Sequence, residues 1–410
     1  MKKIVIAGAS VYGLKNMSDD AMFSVFCREL HAQLPALEIV LLARHPGDHL
    51  DRTYGLKSIK NLDFDSKDES LGNWFHGLNQ GDTTDHLQAI WREIGESDLL
   101  VIGGGPFIDI SIGLYRGLTP YVTLLVTIAK FLNTPVMMNG IHLGRPLSTD
   151  LAKEMTRFCI GSSRLGTLRE ERSRKLFSDI GVPVENLVTT ADAGFGLNPV
   201  QDKDPGKVVL DEEGITGESE HLIGITFRMM YWLWNREKIE TYTKMMAEVA
   251  DHLVQKYDAR IVFIPHCFYN VDHEFEDDRP GAKIIKSKMK HHSRAYTVDK
   301  PREVNEILSI FPHLDFIIGN RRHSIVFGAV HGVPGIGIGE EWHIKPSMIE
   351  LGLDSDLFVS MENYGTERLI KNIDRAWSLK DDIKEKMRVN MPVLREKALM
   401  NAKLAADLIK

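Results

Sequence analysis

Short apolar runs rich in β-branched residues alternate along the chain with segments of helical periodicity. The first run, "KKIVIAG", predicts a strand that enters a glycine turn, and "SDDAMFSVFCRELHAQL" after it predicts an amphipathic helix. Later runs repeat this pattern: "EIVLLAR", "SDLLVIGGGP", "PVMMNGIHLG", "HLIGITFR", "ARIVFIPHC", "LDFIIGN" and "VPGIGIG". Such alternation is typical of parallel sheets with helices on both faces.

A change in composition divides the alternation into two halves. Residues 201–220 are rich in Pro, Gly and charged residues and predict a linker. We therefore expect a first domain over residues 1–200, a second over residues 221–365, and a charged helical tail over residues 366–410. The predicted fold class is α/β, with two Rossmann-like, doubly wound domains facing each other across a cleft.

Composition narrows the possible functions. The chain has 410 residues, of which 43% are hydrophobic, and a net charge of −7, which argues against nucleic-acid binding through a broad basic face. Cys27, Cys159 and Cys267 are far apart and suggest neither a zinc site nor a disulfide framework. We expect no metal and no cofactor. Because no apolar run approaches the roughly 20 residues of a membrane span, we expect a soluble, cytoplasmic protein.

Residues with binding chemistry follow the strand-like runs of the first half. Gly103, Gly104 and Gly105 end one run, His142 ends the next, and Arg169 follows a short run in "GTLREERS". Ligands of doubly wound sheets bind at the carboxyl ends of the strands, and glycine lets the backbone approach them closely. The alternatives are tight turns for the glycines and His142, and a local ion-pair network for Arg169.

The second half has a denser cluster of positive charge. Arg228 closes "HLIGITFR", Arg321 and His323 lie in "GNRRHS" between a strand and a helix, and Lys345 follows a Gly-rich strand. Buried positive charge is costly unless an acid within the chain or an external anion accompanies it. A helix N-terminus with guanidinium groups suits phosphate or carboxylate, so we expect an external anion here. Solvated arginines and a capping histidine are the alternatives.

The order of these motifs resembles the polysaccharide pyruvyl transferase family over about residues 3–355. The shared motifs are "LLVIGGGPFID", "GIHLG", "TLREERSRKLFSDIGV", "ADAGFGL" and "GNRRHSIVFGAVHG" with a downstream lysine. Arg321 and His323 match the family's R-x-H element, Arg169 its R-(D/E)-x-x-S arginine, and Lys345 its lysine. The resemblance implies a fold like that of GT-B glycosyltransferases and transfer of the enolpyruvyl group of phosphoenolpyruvate to a sugar, with release of phosphate.

Within that reaction we expect His323 to donate a proton, while Arg321 and Arg228 neutralise the leaving phosphate. The expected partners are phosphoenolpyruvate and a sugar or lipid-linked oligosaccharide acceptor, with possible peripheral membrane association through the acceptor. Two roles are open for the aromatic residues Tyr231, Trp232 and Trp234, which are a stacking platform for the sugar and packing in the core.

The sequence departs from the family pattern at four positions, which are Ser18, Asp20, Asn320 and Arg322. These departures leave open a non-catalytic relative that binds an anion or a glycan. A glycosyltransferase that uses a nucleotide-sugar is a further alternative, because it would share the predicted fold. The sequence does not indicate an oligomeric state.

Overall fold

Two parallel β-sheets organise the chain, one in each of two units. The computed structural model describes residues 1–8, 16–62, 84–105, 107, 118–215, 220–229, 235–268, 277–360 and 365–410. The first unit comprises Met1–Leu14, Asp19–Gly196 and Arg395–Lys410, and the second comprises Lys15–Ser18 and Leu197–Leu394. The prediction of two parallel, helix-flanked sheets is thus confirmed.

The first sheet has seven strands in the order β3-β2-β1-β4-β5-β6-β7, and its pairings are parallel. The strands are β1 (Lys3–Ala7), β2 (Glu38–Ala43), β3 (Lys57–Lys60), β4 (Leu99–Gly103), β5 (Val136–Ile141), β6 (Leu165–Leu168) and β7 (Leu187–Thr189). The accompanying helices are α1 (Met17–Gln33), α2 (Asp48–Tyr54), α3 (Thr84–Gly95), α4 (Leu118–Leu132), α5 (Asp150–Gly161) and α6 (Glu171–Asp179).

Both faces of the first sheet are covered. Alternate residues of a strand point to opposite faces. Ile4 and Ile6 accordingly pack in one apolar cluster with Phe26 of α1, whereas Val5 packs in another with Val122 of α4. Because both faces are buried, β1 is apolar throughout its last four residues, which explains the continuous apolar run in the sequence.

The second sheet has six strands in the order β10-β9-β8-β11-β12-β13, again paired in parallel. The strands are β8 (His221–Thr226), β9 (Ala259–Phe263), β10 (Ala295–Thr297), β11 (Phe316–Gly319), β12 (Gly335–Gly339) and β13 (Phe358–Ser360). The helices are α7 (Asp204–Glu212), α8 (Arg236–Tyr257), α9 (Arg279–Lys288), α10 (Val304–Ile310), α11 (Arg322–His331), α12 (Glu341–Glu350), α13 (Thr366–Ser378) and α14 (Lys380–Asp407).

The segment predicted as a linker, residues 201–220, contains helix α7. Pro205 lies in the first turn of α7, where its missing N–H is not needed. Gly206 packs against α10, because a Cβ at this position would overlap the carbonyl group of Ser309. The Pro and Gly that suggested a linker therefore start a helix and permit a close backbone contact.

The C-terminal segment, predicted as a tail, consists of α13 and α14. The segment Arg395–Lys410, which includes the last part of α14, belongs to the first unit. There the Asn401 side chain accepts a hydrogen bond from the Thr190 hydroxyl at 2.9 Å and donates one to the Ala191 carbonyl at 3.2 Å. The end of the chain is thus part of the first unit rather than a separate element.

Candidate functional site

The predicted site residues fall into two groups, one at the carboxyl edge of each sheet. Gly103, Gly104, Gly105, His142 and Arg169 belong to the first unit, and Arg228, Arg321, His323 and Lys345 belong to the second. The aromatic residues predicted to stack on a sugar, Tyr231, Trp232 and Trp234, lie outside the described residues.

Strands β8 and β11 bring Arg228 and Arg321 to one edge of the second sheet. The strands are adjacent and parallel, with Thr226 level with Gly319, so the two arginines follow their strand ends at the same distance. Asn320 reinforces this arrangement. Its side-chain oxygen accepts a hydrogen bond from the Arg228 backbone N–H at 2.7 Å, and its amide nitrogen donates to the Ile338 carbonyl at 3.0 Å.

Asn320 is therefore a positioning residue that links the ends of three adjacent strands. The sequence marked it only as a departure from the family pattern. The sequence signal for this role is an asparagine between an apolar strand and an apolar helix. A side-chain amide buried there needs hydrogen-bond partners for both its donor and its acceptor.

Arg321 is buried at the start of α11 and pairs with an acid of the same chain. Its guanidinium donates to both carboxylate oxygens of Asp278, with Nε to Oδ2 at 3.1 Å. The Asp278 carboxylate also accepts hydrogen bonds from the backbone N–H groups of His266 and Cys267, at 2.9 and 3.2 Å. We expected an external anion to explain this buried charge, and the structure shows instead that Asp278 already offsets it.

Arg322 is also buried near an internal acid. Its side chain is 1% exposed, and Nη2 lies 3.6 Å from a carboxylate oxygen of Glu350 on α12. Burying two guanidinium groups is thus accompanied by two carboxylates, as the cost of desolvating charge requires. Sequence reasoning missed both acids because they lie far along the chain from the arginines that they contact.

Two imidazole rings contact one phenyl ring on α11. His323, in the first turn, lies with its ring centroid 5.7 Å from that of Phe327. His266, which follows β9, stacks on Phe327 at 5.4 Å with an interplanar angle of 9°. Burial, and then the positive charges of Arg321 and His323, hold the pKa of His266 well below its ordinary value. His266 is therefore neutral at neutral pH.

Lys345 lies on α12, where its ammonium forms an ion pair with Glu341 one turn earlier. The lysine side chain is 28% exposed and that of Glu341 is 64% exposed. Exposed pairs of this kind contribute little to stability. The contact that the structure shows for Lys345 is therefore a pair on the helix surface.

At the edge of the first sheet, Arg169 forms an ion pair with Asp192. Its Nη1 lies 3.6 Å from Oδ2 of Asp192, and both side chains are buried. The neighbouring Glu170 accepts a hydrogen bond from the Ser173 hydroxyl at 3.2 Å. The Arg169–Asp192 pair joins the elements "TLREERS" and "ADAGFGL", which are distant in sequence.

A concavity opens beside Arg169 at this edge. It is lined by Ile6, Met22, Phe23, Phe26, Gly103, Gly104, Asn139, Gly140, Arg169, Ala193 and Asn401. Gly105 lies against the imidazole of His142, because a Cβ on this glycine would overlap the ring. The structure therefore brings the predicted glycines into one region with Arg169 and His142.

Among the residues that the structure describes, no group of three His, Cys, Asp or Glu side chains is placed to hold a metal ion. Within the same residues, no helix combines the length and the apolar character needed to cross a bilayer.

The sequence matches the family model of polysaccharide pyruvyl transferases over residues 19–341, which is most of the chain. This chain belongs to the polysaccharide pyruvyl transferase family. The resemblance found in the motifs is thereby confirmed, and the protein is a transferase. A search of curated proteins finds no significant match.

Solved structures show the same fold at low sequence identity. The Anabaena protein HepE, in complex with UDP and glucose, aligns with a TM-score of 0.60 and 10% identity, over 99% of this chain and 98% of that chain. UDP-GlcNAc 2-epimerase from Neisseria meningitidis, bound to UDP-GlcNAc, aligns at 0.60 and 12%, over 100% and 99%. A glycosyltransferase from Rickettsia africae aligns at 0.60 and 9%, over 100% and 98%. The predicted GT-B-like fold is therefore confirmed.

Proposed function

We propose that this transferase moves the enolpyruvyl group of phosphoenolpyruvate to hydroxyls of a sugar in a polysaccharide or glycoconjugate precursor, forming a ketal and releasing phosphate. The observation that carries the proposal is the edge of the second sheet, where Arg228 and Arg321 flank the N-terminus of α11. Phosphoenolpyruvate carries a phosphate and a carboxylate close together. Guanidinium groups and a helix N-terminus bind both kinds of anion.

The Arg321–Asp278 pair gives this donor site a fixed geometry. Because Asp278 holds the guanidinium through two N–H groups, Arg321 is oriented before a ligand arrives. The pair itself carries little net charge. The attraction for an anion then comes from Arg228 and from the partial positive charge at the start of α11.

His323 is the proton donor in the proposed reaction. A proton moves from the imidazolium to the methylene carbon of phosphoenolpyruvate, which leaves an oxocarbenium-like centre at C2. A sugar hydroxyl attacks C2 and returns a proton to His323. A second hydroxyl then forms the other C–O bond of the ketal as the C–O bond to phosphate breaks. Its proton leaves with the phosphate, which Arg321 and Arg228 stabilise.

The acceptor side is the edge of the first sheet. Its concavity is lined by Gly103 and Gly104 and by the polar residues Asn139 and Arg169. Amide and guanidinium groups bind sugar hydroxyls. The reaction as proposed needs no metal and no cofactor besides phosphoenolpyruvate as donor, and a lipid-linked acceptor would bring the enzyme to a membrane surface.

The donor is tested by thermal denaturation of the full chain with phosphoenolpyruvate, UDP, GDP or inorganic phosphate. A ligand at 100 times its Kd stabilises the folded state by about 2.7 kcal/mol, which for a unit of this size raises Tm by about 5–10 °C. We expect this shift with phosphoenolpyruvate, and its loss in Arg228→Ala. Arg321→Ala is a poor test because it leaves Asp278 buried without its cation.

A shift with UDP or GDP alone would contradict the proposal and favour a nucleotide-sugar glycosyltransferase. Turnover is tested by phosphate release from phosphoenolpyruvate with p-nitrophenyl glycosides as acceptors. We expect His323→Asn to abolish release and the matched control His331→Asn, at the other end of α11, to retain it. Tight phosphoenolpyruvate binding without product would favour a non-catalytic relative.

A further inference from the structure

Among the described residues, His266 stands out as a fully buried histidine with an unsatisfied ring nitrogen. Its side chain is 0% exposed, and within the part of the chain that the structure describes its Nε2 has no hydrogen-bond partner. Burying such an atom without a partner destabilises the folded state. Native proteins keep few of these atoms, so this one calls for an explanation.

The imidazole of His266 lies beside the first turn of α11. It stacks on Phe327, whose ring also contacts His323. A side chain on a helix leans toward the preceding turn, so the Phe327 ring lies over the turn that contains His323. The backbone N–H of His266 and the Nε–H of Arg321 both donate to the same oxygen of Asp278, Oδ2, which holds His266 next to Arg321.

The rest of His266 is held in place. Its backbone N–H donates to Asp278 at 2.9 Å, and its carbonyl accepts from Met17 at 2.8 Å. Nδ1 lies 3.5 Å from the hydroxyl of Ser18. When that hydroxyl donates to Nδ1, the single proton of the neutral imidazole lies on Nε2, which becomes a hydrogen-bond donor.

We propose that His266 binds the donor's anionic group, donating a hydrogen bond from Nε2 to a phosphate or carboxylate oxygen held at the N-terminus of α11. The inference rests on the donor site proposed above and deepens it. It also gives a role to Ser18, which stands where the family pattern has glycine. A glycine at this position has no hydroxyl and does not set the position of the imidazole proton.

The groups around His266 predict that the affinity for a dianion depends on pH. Among the described residues, the polar and charged groups around His266 are Ser18 of α1, Asp278 at the start of α9, and Arg321 and His323 at the start of α11. Burial, and then the charges of Arg321 and His323, lower the pKa of His266, whereas a bound dianion favours the imidazolium. Binding of a dianion therefore promotes proton uptake by His266, and its affinity rises as pH falls below neutrality.

The test is calorimetric titration of the full chain with sulfate, a tetrahedral dianion that does not itself titrate between pH 5 and 8. We compare the unsubstituted protein with His266→Phe, His266→Gln and the control His331→Phe. His331 stacks on Phe311 at the other end of α11, so it provides a matched aromatic site. For His266→Phe we expect about tenfold weaker sulfate binding, equivalent to about 1.4 kcal/mol, with no loss of Tm.

His266→Gln keeps a side-chain N–H donor, so we expect an intermediate loss of affinity, and we expect no change for His331→Phe. The rise in affinity at low pH should be smaller in both His266 variants. A lower Tm in His266→Phe together with unchanged sulfate affinity would overturn the inference, because it would show a purely structural role.

Assays with phosphoenolpyruvate distinguish a failure of this inference from a failure of the proposed function. Sulfate binding that depends on His266, with no product from phosphoenolpyruvate, would support the site and refute the reaction. Undiminished phosphate release by His266→Phe would refute the role of His266 alone. Failure of the unsubstituted protein to bind either sulfate or phosphoenolpyruvate would refute both.

Discussion

The ion pair between Asp278 and Arg321 should dominate the stability of the donor edge. Replacing Asp278 by asparagine keeps one side-chain oxygen that can accept the backbone N–H groups of His266 and Cys267, at 2.9 and 3.2 Å. It removes the charge that faces the guanidinium. Asp278→Asn therefore isolates the contribution of the buried pair from that of the two backbone hydrogen bonds.

The expected loss follows from burial. The side chains of Arg321 and Asp278 are 7% and 4% exposed. Breaking a buried pair leaves an uncompensated charge and costs about 3–5 kcal/mol. For a unit of this size each kcal/mol lowers Tm by about 2–4 °C, so we expect a fall of about 10 °C. Asp278→Ala should lose about 1–3 kcal/mol more, because it also leaves buried N–H groups without acceptors.

The assay is urea denaturation followed by circular dichroism, with Asp356→Asn as the matched control. Asp356 forms a 2.7 Å pair with Arg375 in the same unit, but both side chains are more than half exposed. Such a pair contributes about 0–1 kcal/mol. If Asp278→Asn cost no more than Asp356→Asn, the buried-pair interpretation would be wrong.

A second substitution checks the cause of the loss. Adding Arg321→Met to Asp278→Asn removes the uncompensated cation, so the double variant should be more stable than Asp278→Asn alone. No recovery would show that the loss comes from the backbone hydrogen bonds of Asp278 rather than from its charge.

Three further predictions concern other parts of the chain. Gly206→Ala should cost about 2 kcal/mol in urea denaturation, because the new Cβ overlaps the Ser309 carbonyl group and lies 2.6 Å from its carbon; an unchanged midpoint would contradict the close contact. Gly105→Ala should displace the His142 ring, because the new Cβ overlaps it. We expect Tm to stay within about 2 °C and kcat/KM for the acceptor to fall by about tenfold or more. Unchanged kinetics would show that this contact plays no part in acceptor binding. Folding lowers the pKa of His266, so the unfolded chain binds more protons than the folded chain below about pH 6.5. As pH decreases, this residue should therefore lower the free energy of unfolding by at most about 1.4 kcal/mol per pH unit. Between pH 7 and pH 5 the Tm of His266→Phe should decline less than that of the unsubstituted protein, and an equal decline would refute the assignment.

For the buried positive charge at residues 319–324, the sequence predicts the secondary structure but not the partners of the charged side chains. The apolar run before Gly319 and the small residues after Ser324 predict a strand and a helix, and β11 and α11 occupy these positions. The parallel order of such elements places Arg228 and Arg321 at one edge. Neither inference needs a tertiary contact, because both follow from local periodicity and from the rules of parallel sheets.

The partners of the buried cations were not predictable in this way. Asp278 lies 43 positions before Arg321, in the charge-rich stretch "HEFEDDRP". Glu350 lies on another helix from Arg322. We therefore expected an external anion to offset charges that the chain itself offsets.

The sequence by itself determined the α/β class, the two sheets and the strand ends at which polar residues gather, because hydrophobic periodicity indicates which side of each element is buried. The order of its motifs determined the family. Only the tertiary structure decided which acid meets which arginine, that His266 and His323 share the ring of Phe327, and that residues 201–220 include a packed helix. Those facts depend on which distant elements pack against each other. Each buried polar group then needs a partner from a neighbouring element, because burying it alone costs free energy.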